Sequence, residues 1–271
     1  MTNPRAGNPI LDVVEFSFGF GTKEILRDVS FTVAQGEYFS IVGPNGAGKT
    51  TLLKCLDRIY RGGSGEISVF GQPLEGYRQR DLARRLSYVP QADGRVFPFT
   101  VGQFVLMGRY PHLNPFSSVG RDDMAAVGQV MERTGIAPFA ERKLDTLSGG
   151  ERQKVYIAAA LAQGAEVLLL DEPTTFLDYR HQADVRDLLA ELNRNAGVTI
   201  VAVTHDVNRA AIDSHRIVAF SAGTVVFSGT PAEIMRPDVL ERIYGTPFLM
   251  VDHPQGDVPI IAPQLPGEDT P

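Results

Sequence analysis

The sequence predicts an α/β fold in which an antiparallel β segment precedes a largely parallel core, with a helical subdomain inserted into that core. Strand-like and helix-like segments alternate from about residue 37 onward, which is typical of α/β proteins. Continuous apolar runs bounded by turn signals indicate buried parallel strands, and helical periods take over between residues 91 and 164. No internal repeat is visible, so we expect one main domain.

Composition and charge exclude several classes of protein. The 271 residues are 43% hydrophobic and 21% charged, which excludes collagen-like, disordered and disulfide-scaffold chains. The net charge of −6 argues against nucleic acid as a partner. The single cysteine, Cys55, cannot form an internal disulfide, and residues 1–10 lack the apolar stretch of a signal peptide, so we expect an intracellular chain. Its apolar runs are far shorter than the ~20 residues of a membrane helix.

The predicted elements follow in chain order. Alternating patterns predict antiparallel strands at 10–16, 29–34 and 66–70. Apolar runs predict buried parallel strands at 38–42, 167–170 and 198–203. Helical periods predict helices at about 101–108, 121–134 and 150–163, and these form a helical subdomain over about 92–164.

The C-terminal segment differs from the rest of the chain. The last 25 residues carry six prolines, which interrupt regular structure. A short hairpin can form from FLMVDH and VPIIA, after which the chain is expected to be extended and finally disordered. We therefore expect a main domain over 1–245 and a proline-rich, partly disordered extension over 246–271.

A glycine-rich loop is the strongest chemical signal. The run GPNGAGKT at 43–50 matches the phosphate-binding P-loop and lies between the strand YFSIV and the helix TTLLKCLDRIY, where the mechanism needs it. Its backbone amides and the helix N-terminus can hold phosphate, Lys49 can reach the β and γ oxygens, and the Thr50 hydroxyl can bind Mg²⁺, whereas Thr51 belongs to the helix. The predicted ATP-binding residues of this loop are Gly43, Pro44, Asn45, Gly46, Ala47, Gly48, Lys49, Thr50 and Thr51.

Two acidic residues end the strand at 167–170. Asp171 is suited to coordinate Mg²⁺, and Glu172 is suited to polarise an attacking water. The alternative is a strand that ends in two solvated acids. The P-loop upstream favours the magnesium interpretation.

A second helix N-terminus follows the sequence LSGGERQ. Ser148, Gly149, Gly150 and Glu151 precede an apolar helix, so the free amides there can hold a phosphate. The same residues form a Ser-x-x-Glu capping box, and periodicity does not separate the two interpretations.

Together these motifs resemble the ATP-binding cassette (ABC) transporter ATPases over roughly residues 10–245, with LSGGE similar to that family's signature loop. The resemblance implies a P-loop NTPase (RecA-like) core. It identifies Gln91 in YVPQ as the Q-loop glutamine, Asp178 as the D-loop aspartate and His205 in VTHD as the switch histidine. It also implies that Phe20 stacks on adenine, although Phe18 lies two residues away and competes for that role.

The resemblance implies a site shared between two copies packed head to tail. In that arrangement Ser148 and Gly150 of one copy cover the ATP and Mg²⁺ bound to the other copy. Glu172 then acts on the attacking water. Gln91 is implied as a further Mg²⁺ ligand besides Thr50 and Asp171. The implied catalytic residues are Glu172, His205, Gln91 and Lys49.

The resemblance also implies membrane partners. The segment 92–116 is more aromatic than a small helical subdomain needs, with Phe97, Phe99, Phe104, Tyr110 and Phe116, and it also carries Met107. Part of it is expected to line a groove for a cytoplasmic helix of a permease. The implied assembly is a homodimer on two transmembrane permease subunits, served indirectly by an external binding protein. Its place is the cytoplasmic face of the bacterial inner membrane.

The transported substrate is indicated only by similarity. The stretch FVLMGRYPH at 104–112 and the short proline-rich tail are similar to importer ATPases for iron–siderophore, haem and cobalamin complexes. From its length of 271 residues we also expect no C-terminal regulatory domain of the kind that many sugar and polyamine importer ATPases carry. The alternatives are zinc or manganese importers, exporters, a soluble ABC ATPase of DNA repair or ribosome function, and a metabolic P-loop kinase, which would lack LSGGE.

The remaining candidates have structural explanations. His112, His181, His215 and His253 are interpreted as surface or satisfied core residues. The basic stretch at 78–85 includes Asp81 at helical spacing, so it is interpreted as a solvated face.

Overall fold

The described residues form two main β-sheets and a two-stranded hairpin, with helices between the strands. The computed structural model describes residues 9–91, 97–113, 118–254, 256 and 258–262. The strands in chain order are β1 (Leu11–Phe20), β2 (Lys23–Val33), β3 (Tyr38–Val42), β4 (Ser64–Val69), β5 (Gln72–Pro73), β6 (Leu86–Val89), β7 (Val167–Asp171), β8 (Thr199–Val203), β9 (Arg216–Ser221), β10 (Thr224–Gly229), β11 (Leu249–Val251) and β12 (Ile260–Ala262). The helices in chain order are α1 (Lys49–Leu56), α2 (Gln79–Ala83), α3 (Val101–Met107), α4 (Arg121–Arg133), α5 (Gly149–Ala162), α6 (Tyr179–Ala196), α7 (Val207–Asp213), α8 (Pro231–Ile234) and α9 (Pro237–Tyr244).

A six-stranded sheet in the order β10-β9-β3-β8-β7-β6 is the central layer. The strands from β9 to β6 pair in parallel, and β10 pairs antiparallel with β9 at the edge. Every residue of β3, β7 and β8 is buried. A strand covered on both faces has no polar side, which is why these three strands were predictable as continuous apolar runs.

A second sheet, in the order β2-β1-β4-β5, is antiparallel and lies at the N-terminal end as predicted. Its first two strands are longer than the predicted 10–16 and 29–34. A register shift in β1 explains the difference: Val14 and Glu15 both face solvent, and Glu15 has φ 48°. The buried positions therefore change from odd-numbered residues up to Val13 to even-numbered residues from Phe16, and this interrupts the period-two pattern near the end of the predicted strand.

Three helices make a layer that packs on one face of the central sheet. The bounds of α3, α4 and α5 agree with the predicted helices to within one residue at each end. Their apolar faces share one core with Leu168 and Leu170 of the central sheet. Arg109 joins the three helices, because its Nε lies 3.0 Å from Asp123 Oδ1 on α4 and its Nη1 donates to the Ala162 carbonyl at the end of α5 at 2.9 Å.

The C-terminal hairpin expected from FLMVDH and VPIIA is present as β11 and β12, which pair antiparallel. It is held against α7 by the Asn208 side chain, whose Nδ2 donates to the Ile261 carbonyl at 3.1 Å and whose Oδ1 accepts from the Ile261 amide at 2.7 Å. The final segment, 263–271, was expected to be disordered and lies outside the described residues, as does Phe116. Of the helices in the described ranges, none has the length and apolar character needed to cross a membrane.

A half-buried carboxyl group at the end of α1 generates a stability prediction. Asp57 is the C-terminal cap of this helix, where a negative charge is disfavoured, and burial raises its pKa to about 7. In the unfolded chain the group ionises near pH ~4. The free energy of unfolding that Asp57 contributes is therefore fully present below that pH and is lost as the pH rises through about 7.

We expect the Asp57→Asn variant and the original protein to have similar stability at pH 4. At pH 8 the variant should be more stable by on the order of 2 kcal/mol, because the folded protein no longer holds a buried carboxylate. Urea unfolding at pH 4, 6 and 8 measures the difference, with Asp252→Asn in the exposed tail as the control. A stability difference that does not change with pH would contradict the assignment.

Candidate active site

An open cavity of about 850 Å³ lies at the carboxyl ends of the parallel strands β3, β7 and β8. In open α/β sheets this edge is where ligands bind. The cavity is lined by Ile25, Asn45, Gly46, Ala47, Gly48, Lys49, Thr50, Thr51, Gln91, Asp171, Glu172, Thr174, Thr175, Phe176, Gln182, Thr204, His205 and Asp206. Most of the residues that the sequence analysis selected therefore share one cavity, although they come from segments far apart in the chain.

The loop between β3 and α1 requires its glycines. Gly43, Gly46 and Gly48 have φ values of 135°, 80° and 96°. A Cβ atom at Gly43 would lie 2.0 Å from the Phe220 carbonyl oxygen, so no other residue fits there without moving the neighbouring strand. The loop thus turns its backbone into the N-terminus of α1, where free amides and the helix dipole attract an anion.

Lys49 is the first residue of α1 and is buried within the loop that precedes it. Its Nζ donates to the carbonyl oxygens of Gly43 at 2.8 Å and Pro44 at 2.9 Å. Burial lowers the pKa of this ammonium group, and the neighbouring carboxylates of Glu172 and Asp171 oppose the shift. A positive charge is therefore held among the amides of the loop, where it can meet the oxygens of a phosphate.

Asp171 is buried at the end of β7 and accepts two hydroxyl hydrogen bonds. Thr50 Oγ1 donates to its Oδ1 at 2.9 Å, and the Tyr88 hydroxyl donates to its Oδ2 at 2.8 Å. Burial and the Asp171 charge both raise the pKa of Tyr88, so its hydroxyl keeps its proton and remains a donor. Tyr88 was not predicted from the sequence, because only the pairing of β6 with β7 reveals that it reaches this carboxylate.

Glu172 adopts an uncommon backbone conformation that aims its side chain into the cavity. Its φ is 52°, in the left-handed region, and its amide donates to the Val203 carbonyl at 3.0 Å. The Oε2 atom lies 2.6 Å from His205 Nδ1 and accepts from Thr175 Oγ1 at 2.5 Å. The structure thus brings Glu172 and His205 into contact as a carboxylate–imidazole pair. The sequence analysis missed Thr175 as a partner, although it follows Glu172 by three residues.

Other predicted residues lie outside this cavity in the single chain. Ser148, Gly149, Gly150 and Glu151 begin α5 with both bonds of a capping box, and the Ser148 amide donates to Glu151 Oε2 at 2.8 Å. Asp178 caps α6 by accepting from the His181 amide at 2.8 Å. None of these five residues is among the described residues that line the cavity.

Phe18 and Phe20, the two candidates for stacking on adenine, differ in exposure. Phe18 is buried and stacks on Tyr60 at a centroid distance of 5.9 Å, whereas Phe20 is 49% exposed and meets Tyr60 edge-on at 5.1 Å. Phe20 therefore presents an accessible ring, although the cavity wall nearest this sheet is formed by Ile25.

The basic stretch at 78–85 makes structural contacts. Arg84 donates to the Pro111 carbonyl, and Arg85 lies 3.3 Å from Glu166. His112 Nε2 lies 2.8 Å from the Gln163 carbonyl oxygen, and His215 Nδ1 accepts from the Tyr38 amide. These contacts agree with the structural interpretation that the sequence favoured.

Known proteins are similar to this chain in sequence. The sequence pattern of the ABC transporter family matches residues 26–175. The chain is 38% identical over 250 residues to the iron(3+)-hydroxamate import ATP-binding protein FhuC of Bacillus subtilis (strain 168), covering 92% of this chain and 93% of that protein. It is also 38% identical over 249 residues to the ferric enterobactin transport ATP-binding protein FepC of Escherichia coli (strain K12), covering 92% of each chain.

A solved structure has the same fold. An ATP-binding cassette, determined as a dimer in a post-hydrolysis state with ADP and Pi bound, superposes with a TM-score of 0.69 at 25% identity. The match covers 82% of this chain and 98% of the cassette. The predicted α/β fold class is thereby confirmed.

Replacing Lys49 with Ala is expected to reduce ATP turnover by roughly a hundredfold or more, because a charge aimed at the phosphates is removed. The fold should remain, since β3 and the apolar face of α1 are buried independently of the Lys49 side chain. Turnover and far-UV circular dichroism, measured on the same samples, test both parts. Lys54→Ala, on the same helix but outside the cavity, is the matched control. Turnover retained in Lys49→Ala would remove this loop from the chemistry.

Proposed function

This chain belongs to the ABC transporter family, and we propose that within it the chain is the ATP-hydrolysing subunit of an importer for an iron–siderophore, haem or cobalamin type chelate. The observation that carries the proposal is the 38% identity to two iron-chelate import ATP-binding proteins over at least 92% of this chain and of each relative. The residues that line the 850 Å³ cavity support ATP hydrolysis, and the sequence similarity to import proteins supports transport.

ATP is proposed to bind with its phosphates on the loop at 43–48 and its adenine toward Phe20. The loop amides and the Lys49 ammonium group face the same cavity, so they can hold the β and γ phosphates together. Phe20 is the more exposed of the two candidate rings, which supports it over Phe18 as the surface on which adenine stacks. Ile25 adds an apolar contact at the edge of the cavity.

The residues beside the loop fit a magnesium ion. The Thr50 hydroxyl and the Asp171 carboxylate lie 2.9 Å apart, and both offer the hard oxygen ligands that Mg²⁺ prefers. Gln91 lines the same cavity and would add an amide oxygen. Mg²⁺ bound with ATP would neutralise charge on the phosphates. Tyr88 keeps the Asp171 carboxylate oriented toward Thr50.

Hydrolysis is proposed to proceed by attack of a water molecule that Glu172 orients. The water oxygen bonds to the γ phosphorus, its proton passes to the Glu172 carboxylate, and the bond to the β–γ bridging oxygen breaks to release ADP. The contact of His205 with Glu172 Oε2 would fix the carboxylate, and the imidazole is proposed to lie beside the γ phosphate. Lys49 stabilises charge on the departing diphosphate.

The complete site is proposed to form between two copies of the chain. Ser148 and Gly150 lie outside the cavity of their own chain, at a helix N-terminus that can hold a phosphate. A second copy placed head to tail would bring these residues onto the γ phosphate. The related cassette with ADP and Pi is itself dimeric, which supports this arrangement.

A second open cavity, of about 700 Å³, is proposed to receive a cytoplasmic helix of the permease. Phe97, Phe104, Met107 and Tyr156 supply apolar walls, and Phe104 lies 5.7 Å from Phe97 and 5.4 Å from Tyr156 between ring centroids. Gln91 also lines this groove. The groove shares Thr50, Gln91 and Asp171 with the ATP cavity, so a helix seated in it can respond to the γ phosphate.

The proposed assembly is a homodimer bound to two permease subunits at the cytoplasmic face of the bacterial inner membrane, with an external binding protein that delivers the chelate. Residues 1–245 form the proposed ABC ATPase domain, with the helical subdomain at about 92–164 and the extension at 246–271. The chelate crosses through the permease, so no residue of this chain is assigned to it. Nucleic acid is not a proposed partner.

Other functions share the ATP site. A zinc or manganese importer ATPase, or an exporter ATPase, would have the same catalytic residues. A soluble ABC ATPase of another class would use the same chemistry without a permease. The similarity to the two iron-chelate import proteins favours the proposed substrate class over these alternatives.

The Glu172→Gln variant should bind ATP and Mg²⁺ but stall as an ATP-loaded dimer. Asp171 and Thr50 still hold the metal in this variant, whereas the amide cannot take a proton from the water. Size-exclusion chromatography with and without ATP measures the dimer, and phosphate release measures turnover. A variant that stays monomeric with ATP and hydrolyses it normally would refute both the base assignment and the shared site.

Deleting the gene should abolish uptake of one class of chelate. Growth on iron-chelate, haem and cobalamin sources, with radiolabelled uptake, identifies that class, and the intact gene restored in trans is the control. The tagged protein should also co-purify with a permease from detergent-solubilised membranes. Normal uptake of all three, in a strain without a redundant importer, would refute the substrate class and leave the ATPase assignment intact. Co-purification with ribosomes or nucleic acid instead would refute transport.

A further inference from the structure

Ser148, the serine of the signature loop, is hydrogen-bonded to an imidazole of its own chain. Its Oγ lies 3.3 Å from His181 Nε2. The other ring nitrogen, Nδ1, lies 2.8 and 2.9 Å from the two carboxylate oxygens of Asp178. Asp178, His181 and Ser148 therefore form a continuous chain of polar contacts from the start of α6 to the start of α5.

The same imidazole explains why one residue of the signature loop is glycine. A Cβ atom at Gly150 would lie 2.4–2.5 Å from the His181 side chain, and a Cβ at Gly149 would lie 3.0 Å from Leu177. Gly150 is buried, whereas Ser148 and Gly149 before it are exposed. The His181 ring is thus packed against the backbone of the first turn of α5, and only 29% of this side chain is exposed.

The hydrogen bonds show which atoms carry protons in the series Asp178, His181 and Ser148. Asp178 bonds to the His181 amide and ring, which lowers the pKa of its carboxyl group, so the carboxylate is ionised and can only accept. His181 Nδ1 must therefore carry a proton. In the neutral ring Nε2 is then an acceptor, and the Ser148 hydroxyl donates to it while Ser148 Oγ accepts from the Glu151 amide at 3.2 Å.

We propose that His181 is a positioning residue for the signature serine: with Asp178 orienting the ring, it fixes Ser148 Oγ where a phosphate of the opposing copy meets it. On closure the Ser148 hydroxyl turns its proton from His181 Nε2 to a γ-phosphate oxygen, while the Glu151 amide keeps its bond to the oxygen atom. His181 thus acts before closure, by holding the Ser148 side chain in the orientation that the phosphate meets. The inference rests on the proposed shared site. It adds a residue of α6, outside the signature loop, on which the geometry of that site depends.

Two substitutions separate this role from a structural one. In His181→Gln the side-chain amide occupies the place of Nε2, so this variant keeps a polar contact with Ser148. In His181→Asn the amide occupies the place of Nδ1, so this variant keeps the contact with Asp178 instead. If His181 acts through Ser148, the Gln variant should retain function and the Asn variant should lose it. If His181 only supports the start of α6, the order should be reversed.

The measurement is ATP-driven dimer formation in the Glu172→Gln background, followed by analytical ultracentrifugation over a range of ATP concentrations. We expect His181→Asn to raise the ATP concentration for half-maximal dimer about three- to tenfold, because the Ser148 side chain must then be ordered as the dimer forms, and His181→Gln to raise it less than about twofold. Binding of a fluorescent ATP analogue to the monomer should not change in either variant, because His181 lies outside the ATP cavity. The melting temperature of each variant reports any loss of fold.

A double-mutant cycle with Ser148→Ala completes the test. If His181 acts through Ser148, His181→Asn should have little further effect once Ser148 is Ala. Additive effects, or equal dimerisation by the Asn and Gln variants, would overturn the inference and leave the shared site standing. Failure of Glu172→Gln alone to dimerise with ATP would overturn the shared site, and the role of His181 with it.

Discussion

The parallel pairing of β3, β8 and β7 is the constraint on which the site depends. Val203, at the end of β8, pairs with Ile41 on one side and with Asp171 on the other. This register brings the three strands to the same edge, so that the phosphate loop, the two carboxylates and His205 leave the sheet side by side. The Val203 carbonyl also accepts from the Glu172 amide, which ties the unusual backbone of Glu172 to the strand ladder. A one-residue shift of β8 would separate His205 from the acid it contacts.

The parts of the fold that local sequence determines were predictable. Buried strands such as β3 and helices such as α5, with its capping box at Ser148, carry their pattern within a few residues. The long helix α6 was not predicted, although Asp178 caps it and Gly197 ends it with φ 67°. Its buried residues Val185, Leu188, Leu189 and Leu192 follow the spacing i, i+3, i+4, i+7, so the sequence did carry the periodic signal for this helix.

Site residues that belong to a local motif could be predicted from the sequence. Site residues whose role comes from contacts between distant segments could not. Lys49 and Asp171 could be selected from the sequence because each lies next to a recognisable strand and loop. Thr175 was missed although its partner Glu172 is only three positions away. Tyr88 could not be selected, since its role depends on which neighbour it reaches in space. His181 belongs to the same class: its significance comes from contact with Ser148, which is 33 positions away in the chain.

The contacts of Arg109 determine how the helical layer can move. This one side chain bonds to α4 through Asp123 and to α5 through the Ala162 carbonyl, and the Arg109–Asp123 pair is largely shielded from water. Because Arg109, just after α3, bonds to both α4 and α5, the three helices resist sliding past one another. If a helix docks in the groove as proposed, its push would turn the layer as one body. The displacement at the far end of α5, where the signature serine lies, would then be set by the length of that helix, about 21 Å for its 14 residues.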